Sequence, residues 1–165
     1  MKRVLLTGMS GTGKSSVVRE LTARGYKAVD TDDGWCEPLP DGRQQWREDA
    51  FERLLDTEDA EVLFVAGCEE NQVRFHPRFD HIVLLSAPLE TLMERLATRT
   101  ENPYGKAPEE RRRFLEDVET VEPLLREVAT AEIRTTAPLD EVVTTILEIV
   151  ACDFRTGPGD APLLR

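Results

Sequence analysis

Apolar residues in this chain follow two rhythms. Continuous apolar runs occupy residues 3–7 (Arg-Val-Leu-Leu-Thr), 26–30, 61–66 and 81–86, with a shorter one at 131–135. Runs of this length without polar alternation read as strands covered on both faces. Between them, apolar residues return at helical spacing. Val17, Val18 and Leu21 follow Lys14, and Gly25 stops that helix. Trp46, Phe51, Leu54 and Leu55 mark a second helix over 43–56, and Leu89, Leu92, Met93 and Leu96 a third over 88–99. A long charged helix is predicted over 109–130 and a closing helix over 139–150. Residues 31–42 and 100–108, rich in Asp, Gly and Pro, read as loops.

Strands that alternate with helices imply βαβ units and a parallel sheet. The expected fold class is therefore α/β, a three-layer α/β/α arrangement around a five-stranded parallel sheet. It forms a single domain over residues 1–150, and residues 151–165, with Pro158, Gly159 and Pro162, make a loosely ordered tail. No internal repeat or low-complexity segment interrupts it.

Composition narrows the class. At 165 residues the chain can bury a proper core, and 40% hydrophobic with 32% charged residues is ordinary for a globular domain. No apolar run approaches the roughly 18 residues of a membrane span. The first strand begins at Lys2, so no leader is expected and the expected compartment is cytoplasmic. A net charge of −11 repels nucleic-acid phosphates, which argues against a nucleic-acid partner. Cys36, Cys68 and Cys152 lie far apart, and with His76 and His81 they suggest neither a disulfide framework nor a zinc site.

The most informative segment is Gly8-Met9-Ser10-Gly11-Thr12-Gly13-Lys14-Ser15, with Ser16 after it. It matches G-x-x-x-x-G-K-[ST], with a strand before it and a helix after it, the context that motif requires. Glycines let the backbone wrap tightly and turn its N–H groups toward an anion. The following helix offers its N-terminus. Lys14 would reach the β- and γ-phosphates of ATP, and Ser15 would hold Mg2+. The glycine spacing does not fit the dinucleotide fingerprint. The expected fold is thus a P-loop NTPase fold.

Asp30-Thr31-Asp32-Asp33 stands where the second strand leaves the sheet. Ligands of open α/β sheets bind at such strand ends. Asp30 and Asp32 are candidate magnesium contacts, Asp32 a candidate base for an attacking hydroxyl, and Asp33 a further substrate candidate; turn chemistry also favours Asp here, but three carboxylates in four residues repel one another unless a cation or donor sits among them. The third strand ends Val65-Ala66-Gly67-Cys68 without the acidic residue of a Walker B strand. Gly67 could admit a substrate close to the backbone or simply turn the chain. Arg95 and Arg99 share one helix face beside the loop at 99–108, which reads as a short lid whose guanidinium groups could grip phosphate.

These features together resemble the small P-loop kinases: shikimate kinase, gluconate kinase and the nucleoside monophosphate kinases. The resemblance runs from Lys2 to about Val150. Asp30-Thr31-Asp32 resembles a D-x-D in which the first Asp helps hold magnesium and the second contacts the substrate hydroxyl. Glu94-Arg95-Leu96-x-x-Arg99 resembles the segment that opens the family lid, and Thr135-Thr136-Ala137-Pro138 the loop packed on adenine. Shikimate kinase carries a glycine triplet after its third strand, where Gly67-Cys68-Glu69 stands here. Ala50 occupies the place of the glutamate in its F-R-x-x-E segment. By position, residues 31–58 are the expected acceptor segment, and Arg43, Arg47, Gly67, Cys68, Asn71, Gln72 and Arg74 are candidate acceptor contacts.

The resulting expectation is transfer of the ATP γ-phosphoryl group to a small-molecule acceptor, with Lys14, Asp32, Arg95 and Arg99 in catalytic roles and ATP contacts extending to Thr136 and Pro138. A nucleoside monophosphate kinase is one alternative, with Arg43, Arg47 and Arg74 serving the acceptor phosphate. An ATP-binding regulatory switch with slow ATPase activity is an alternative of another class. A monomer or homodimer is expected.

Overall fold

A computed structural model describes residues 1–100 and 102–155. Its order is β1 (Lys2–Thr7), α1 (Lys14–Ala23), β2 (Lys27–Asp30), β3 (Cys36–Pro38), β4 (Gln44–Trp46), α2 (Glu48–Leu55), β5 (Val62–Ala66), a 3-10 segment (Glu70–Arg78), β6 (His81–Ser86), α3 (Leu89–Thr98), α4 (Pro108–Thr120), α5 (Glu122–Val128), β7 (Ala131–Arg134) and α6 (Leu139–Arg155). Five strands form one parallel sheet in the order β2-β5-β1-β6-β7. The expected α/β/α architecture and its five parallel strands are present.

The sheet's interior explains its sequence. All residues of β5 are buried, because α-helical layers cover both of its faces. Alternate residues of β1 serve opposite layers. Val4 and Leu6 pack with Val17, Leu21, Val143 and Ile146 of α1 and α6. Leu5 packs with Trp46, Phe51, Leu55 and Phe75 on the other side. A third cluster, with Met9, Leu92, Leu96, Phe114 and Leu125, joins the loop after β1 to α3, α4 and α5. Burying a Leu or Phe side chain contributes about 1.5–3 kcal/mol, and these clusters clamp both ends of the phosphate loop.

Three expectations needed correction. Residues 36–46, read as loop and helix start, form a β-hairpin in which Cys36 pairs with Trp46 and Pro38 with Gln44. Its turn, Leu39-Pro40-Asp41-Gly42, is closed by Leu39 N donating to Arg43 O across 2.7 Å, and Gly42 adopts φ +87°. Helix α2 therefore begins at Glu48 instead of residue 43. The long helix at 109–130 is broken at Val121, because Pro123 in the first turn of α5 has no N–H to continue the ladder. The closing helix runs on past Val150 to Arg155; the rest of the expected tail, from residue 156, lies outside the described residues, as does Glu101 of the lid.

Candidate nucleotide and acceptor site

The loop between β1 and α1 turns at three glycines of positive φ, Gly8 (153°), Gly11 (85°) and Gly13 (94°). A Cβ on Gly8 would collide with the Leu85 carbonyl oxygen, so that glycine is required by packing as well as by conformation. Thr12 Oγ1 donates to Met9 O across 2.9 Å and holds the loop's curve. Gly13 caps α1 without a side-chain hydrogen bond. The positive end of α1 thus opens directly beneath the loop.

Lys14 is half-buried, and its Nζ donates to Gly8 O at 2.5 Å and Met9 O at 3.0 Å. Removal from water lowers its pKa, against the opposing charges of Cys68, Asp32, Asp30 and Glu69. The lysine therefore lies near enough to the strand-end carboxylates to feel their charge. Ser15 Oγ donates to Asp30 Oδ2 across 2.6 Å, and Asp30 Oδ1 accepts the Asp32 N–H at 3.1 Å. A hydroxyl and a carboxylate side by side are hard oxygen donors of the kind Mg2+ selects. The uncapped helix end, the glycine-walled loop and this donor pair fit a triphosphate with magnesium.

On the far side of α1 a cavity of about 290 Å³ is lined by Thr12, Gly13, Ser16, Val17, Arg95, Thr135, Ala137, Leu139 and Val142. Arg95 fixes its wall: it donates to Gly11 O (3.0 Å), to Thr135 Oγ1 (3.1 Å) and to Thr135 O (2.7 Å). Thr136 and Pro138 belong to this same loop but are exposed, and their neighbours Thr135, Ala137 and Leu139 form the lining. Arg99 donates to Asn102 O (3.0 Å) and Tyr104 O (2.8 Å), and so folds the lid back on α3.

The acceptor side contains residues that sequence reasoning did not place there. Glu69 follows β5 and Gln44 sits on the hairpin. Gln44 Nε2 donates to Glu69 Oε1 at 2.7 Å and to Asp32 Oδ1 at 3.4 Å. Removal from water raises the pKa of both carboxyls. Asp30 adds to the rise at Asp32, and at Glu69 the Asp32 charge adds to it while the Gln44 hydrogen bond opposes it. Cys36 lies with them, one ligand atom from each of Asp32, Cys36 and Glu69 falling within 4.8 Å of the others. Burial pushes the Cys36 thiol up to about 12, and a protonated thiol is a poor metal ligand. Glu69 was reachable by the rule that singled out Asp30, since it too follows a parallel strand. Pro40-Asp41-Gly42 was the available signal for the hairpin.

Other acceptor candidates have structural work. Gly67 packs so tightly that a Cβ would collide with Thr31 Oγ1 and approach Trp46. Cys68 is partly buried and its pKa is raised by that burial, against the pull of Lys14. Asn71 accepts from Trp46 N (3.1 Å) and donates to Trp46 O (3.0 Å), bracing β4. Gln72 is buried, within 3.4 Å of Thr7 Oγ1. Arg43 pairs with Asp41 and Glu70, each at 2.7 Å; Arg74 pairs with Glu48 at 2.6 Å. Arg47 heads α2 as an exposed residue, and Asp33 is exposed in the turn after β2.

A family model described as an AAA domain matches residues 4–118, more than half of the chain. The chain belongs to this AAA domain family. No curated protein matches it in sequence. Among solved structures, it is similar to shikimate kinase from Acinetobacter baumannii in complex with shikimate, at 21% identity over 93% of this chain and 94% of that one, with a TM-score of 0.66. A gluconokinase from Sinorhizobium meliloti 1021 matches at 22% identity over 94% of this chain and 98% of that one, TM-score 0.63. A sugar kinase from Janibacter sp. matches at 14% identity over 92% and 95%, TM-score 0.58. At these identities the likeness establishes a kinase-like P-loop fold. Among the described residues, no helix is long and apolar enough to cross a membrane.

Proposed function

We propose that the protein is an ATP-dependent phosphotransferase that moves the γ-phosphoryl group to a hydroxyl of a small molecule. The observation that carries this reading is the glycine-walled loop with its Lys14, tied through Ser15 Oγ to Asp30 and standing beside the Asp32 and Glu69 carboxylates that Gln44 bridges. Similarity in fold to shikimate kinase and gluconokinase supports it.

In this reading the loop at 8–16 holds the phosphates, and the wall of Arg95, Thr135 and Ala137 receives the base. Ser15 and Asp30 are the residues that would hold Mg2+. Bound there, ATP supplies a transferable phosphoryl group with ADP as leaving group, and Mg2+ offsets charge on its oxygens. Lys14 exchanges its hold on the Gly8 and Met9 carbonyls for phosphate oxygens. Asp32 accepts the hydroxyl proton of the acceptor, and its raised pKa suits it to that task. Arg99 stands close enough to Asp32 to feel its charge and is carried on the lid. Arg95 is a positioning residue: it fixes the loop and the cavity wall to each other.

A nucleoside monophosphate acceptor fits less well, since Arg43 and Arg74 are paired with carboxylates. The test is ADP release in the presence of ATP and Mg2+ over hydroxylated acceptors. Acceptor-dependent turnover that Lys14→Ala lowers by about 10²–10³-fold is expected. Turnover that needs no acceptor and responds to a protein partner would favour a regulatory switch instead.

A further inference from the structure

Trp46 is 0% exposed, and its indole Nε1–H has no hydrogen-bond partner among the described residues. The buried hydroxyls and amide nearby are all engaged: Thr7 with Gln72, Thr12 with Met9 O, Thr31 with Ala66 O, Thr135 with Arg95. The other unpaired buried atom, Glu122 Oε2, belongs to a carboxylate whose Oε1 already accepts from Arg126. A buried donor left unpaired costs free energy, and a tryptophan N–H in a core ordinarily finds a partner. An aromatic ring without nitrogen would serve this core at no such cost, so the N–H calls for an explanation other than packing.

The direction of that N–H follows from the ring. Nε1 and Cζ2 are bonded to the same ring carbon and share one edge of the indole. Cζ2 lies 3.2 Å from where a Gly67 Cβ would stand, a point that Thr31 Oγ1 also crowds. The N–H edge therefore faces the carboxyl ends of β5 and β2, where the chain runs on to Glu69 and Asp32. Cys36, paired with Trp46 across the hairpin, reaches the same corner, its Sγ 3.2 Å from Thr31 O and 3.9 Å from Glu69 Oε1. The donor is also held rigidly. Asn71 brackets the Trp46 backbone at 3.1 and 3.0 Å, and Phe51 stacks on its ring at 4.2 Å. A fixed donor of this kind suits recognition.

We infer that Trp46 is a specificity-determining residue of the acceptor site: its indole N–H donates to a second oxygen of the acceptor while the reacting hydroxyl meets Asp32. The inference rests on the phosphotransfer reading. It requires an acceptor with at least two oxygens, so a simple alcohol is rejected because it would leave the N–H unpaired. The N–H is closed to solvent, and the acceptor reaches it as the hairpin parts from the strand ends. Surface side chains tie the hairpin there, Arg43 to Glu70 and Gln44 to Glu69, each at 2.7 Å. Exposed contacts of this sort yield readily.

The experiment screens the full chain with ATP and Mg2+ against polyols, sugar acids, amino sugars and nucleosides, then compares the best acceptor with analogues lacking one hydroxyl at a time. With the parent protein, one analogue besides that missing the reacting hydroxyl is expected to lose about 100-fold or more in kcat/KM. Trp46→Phe keeps the ring and removes the N–H. It is expected to raise KM for the best acceptor roughly tenfold or more, with kcat moving less and KM for ATP unchanged, and to treat that analogue and the full acceptor nearly alike. Thermal melting checks that the variant folds. A measurement on the parent protein needs no variant: in a 1H–15N spectrum with a non-hydrolysable ATP analogue bound, the acceptor is expected to shift the indole signal of Trp46. An unmoved indole signal, an unchanged acceptor KM in a folded Trp46→Phe, or no loss from any hydroxyl but the reacting one would each overturn the role of Trp46 and leave the ATP site standing. The absence of any acceptor-dependent product would overturn the phosphotransfer reading, and this inference with it.

Discussion

Ser15 Oγ and Asp30 Oδ2 stand 2.6 Å apart, which ties the first turn of α1 to the carboxyl end of β2. Asp30 uses its other oxygen to hold the Asp32 backbone at 3.1 Å. One carboxylate therefore sets both the candidate metal contact and the path of the turn that carries the candidate base. Replacing it with an amide keeps the shape and removes the charge. Asp30→Asn is expected to raise the Mg2+ concentration needed for half-maximal turnover by about 10–100-fold, the usual effect of losing a residue that orients a metal ligand. A magnesium titration of ADP release checks this, and an unaltered midpoint would remove Asp30 from the metal site.

Gly67 separates packing from substrate access. A Cβ there would overlap Thr31 Oγ1 and press on the Trp46 ring. Thr31 cannot yield freely, because its hydroxyl donates to Ala66 O at 2.9 Å. Gly67→Ala is expected to destabilise the fold by about 1–3 kcal/mol, as overpacking of a filled core does. Urea unfolding measures it.

Glu132 gives a pH-dependent contribution. Hydrogen bonding by Arg126 (2.7 Å) and Ser86 (2.7 Å) holds its carboxyl below the usual range. A depressed folded-state pKa adds stability above the unfolded value and loses it as pH falls through the folded value. Glu132→Gln should therefore lower Tm at neutral pH, by an amount worth roughly 0.2–1 kcal/mol for a pair so exposed. The gap from the parent protein should close as pH drops below about 4. Thermal melts at pH 7, 5 and 3.5 test the sign.

The cysteines should differ in reactivity. Cys152 is exposed, whereas burial and the neighbouring carboxylates push the Cys36 thiol up to about 12. Alkylation requires thiolate. Iodoacetamide at pH 8 is expected to label Cys152 well before Cys36, and peptide mass spectrometry reads the order. Equal rates would mean that Cys36 is not set among carboxylates as described.

What the sequence alone determined was local or periodic. The loop at 8–15, the buried strands at 3–7 and 61–66 and the helical spacing of Val17, Val18 and Leu21 each follow from residues a few positions apart, where backbone freedom and hydrophobic period suffice. Tertiary structure decided what depends on partners far along the chain. Arg43 was a candidate for a substrate phosphate until Glu70, 27 residues on, took its charge. Gln44 read as a helix residue, because its role exists only where the hairpin meets Glu69. Arg95 stood out by its spacing from Arg99, yet its hydrogen bonds run to Gly11 and Thr135, up to 84 residues away. A side chain's chemistry is written in its identity, but which charge is engaged and which is left to meet a ligand is fixed only when folding brings its neighbours within a few ångströms.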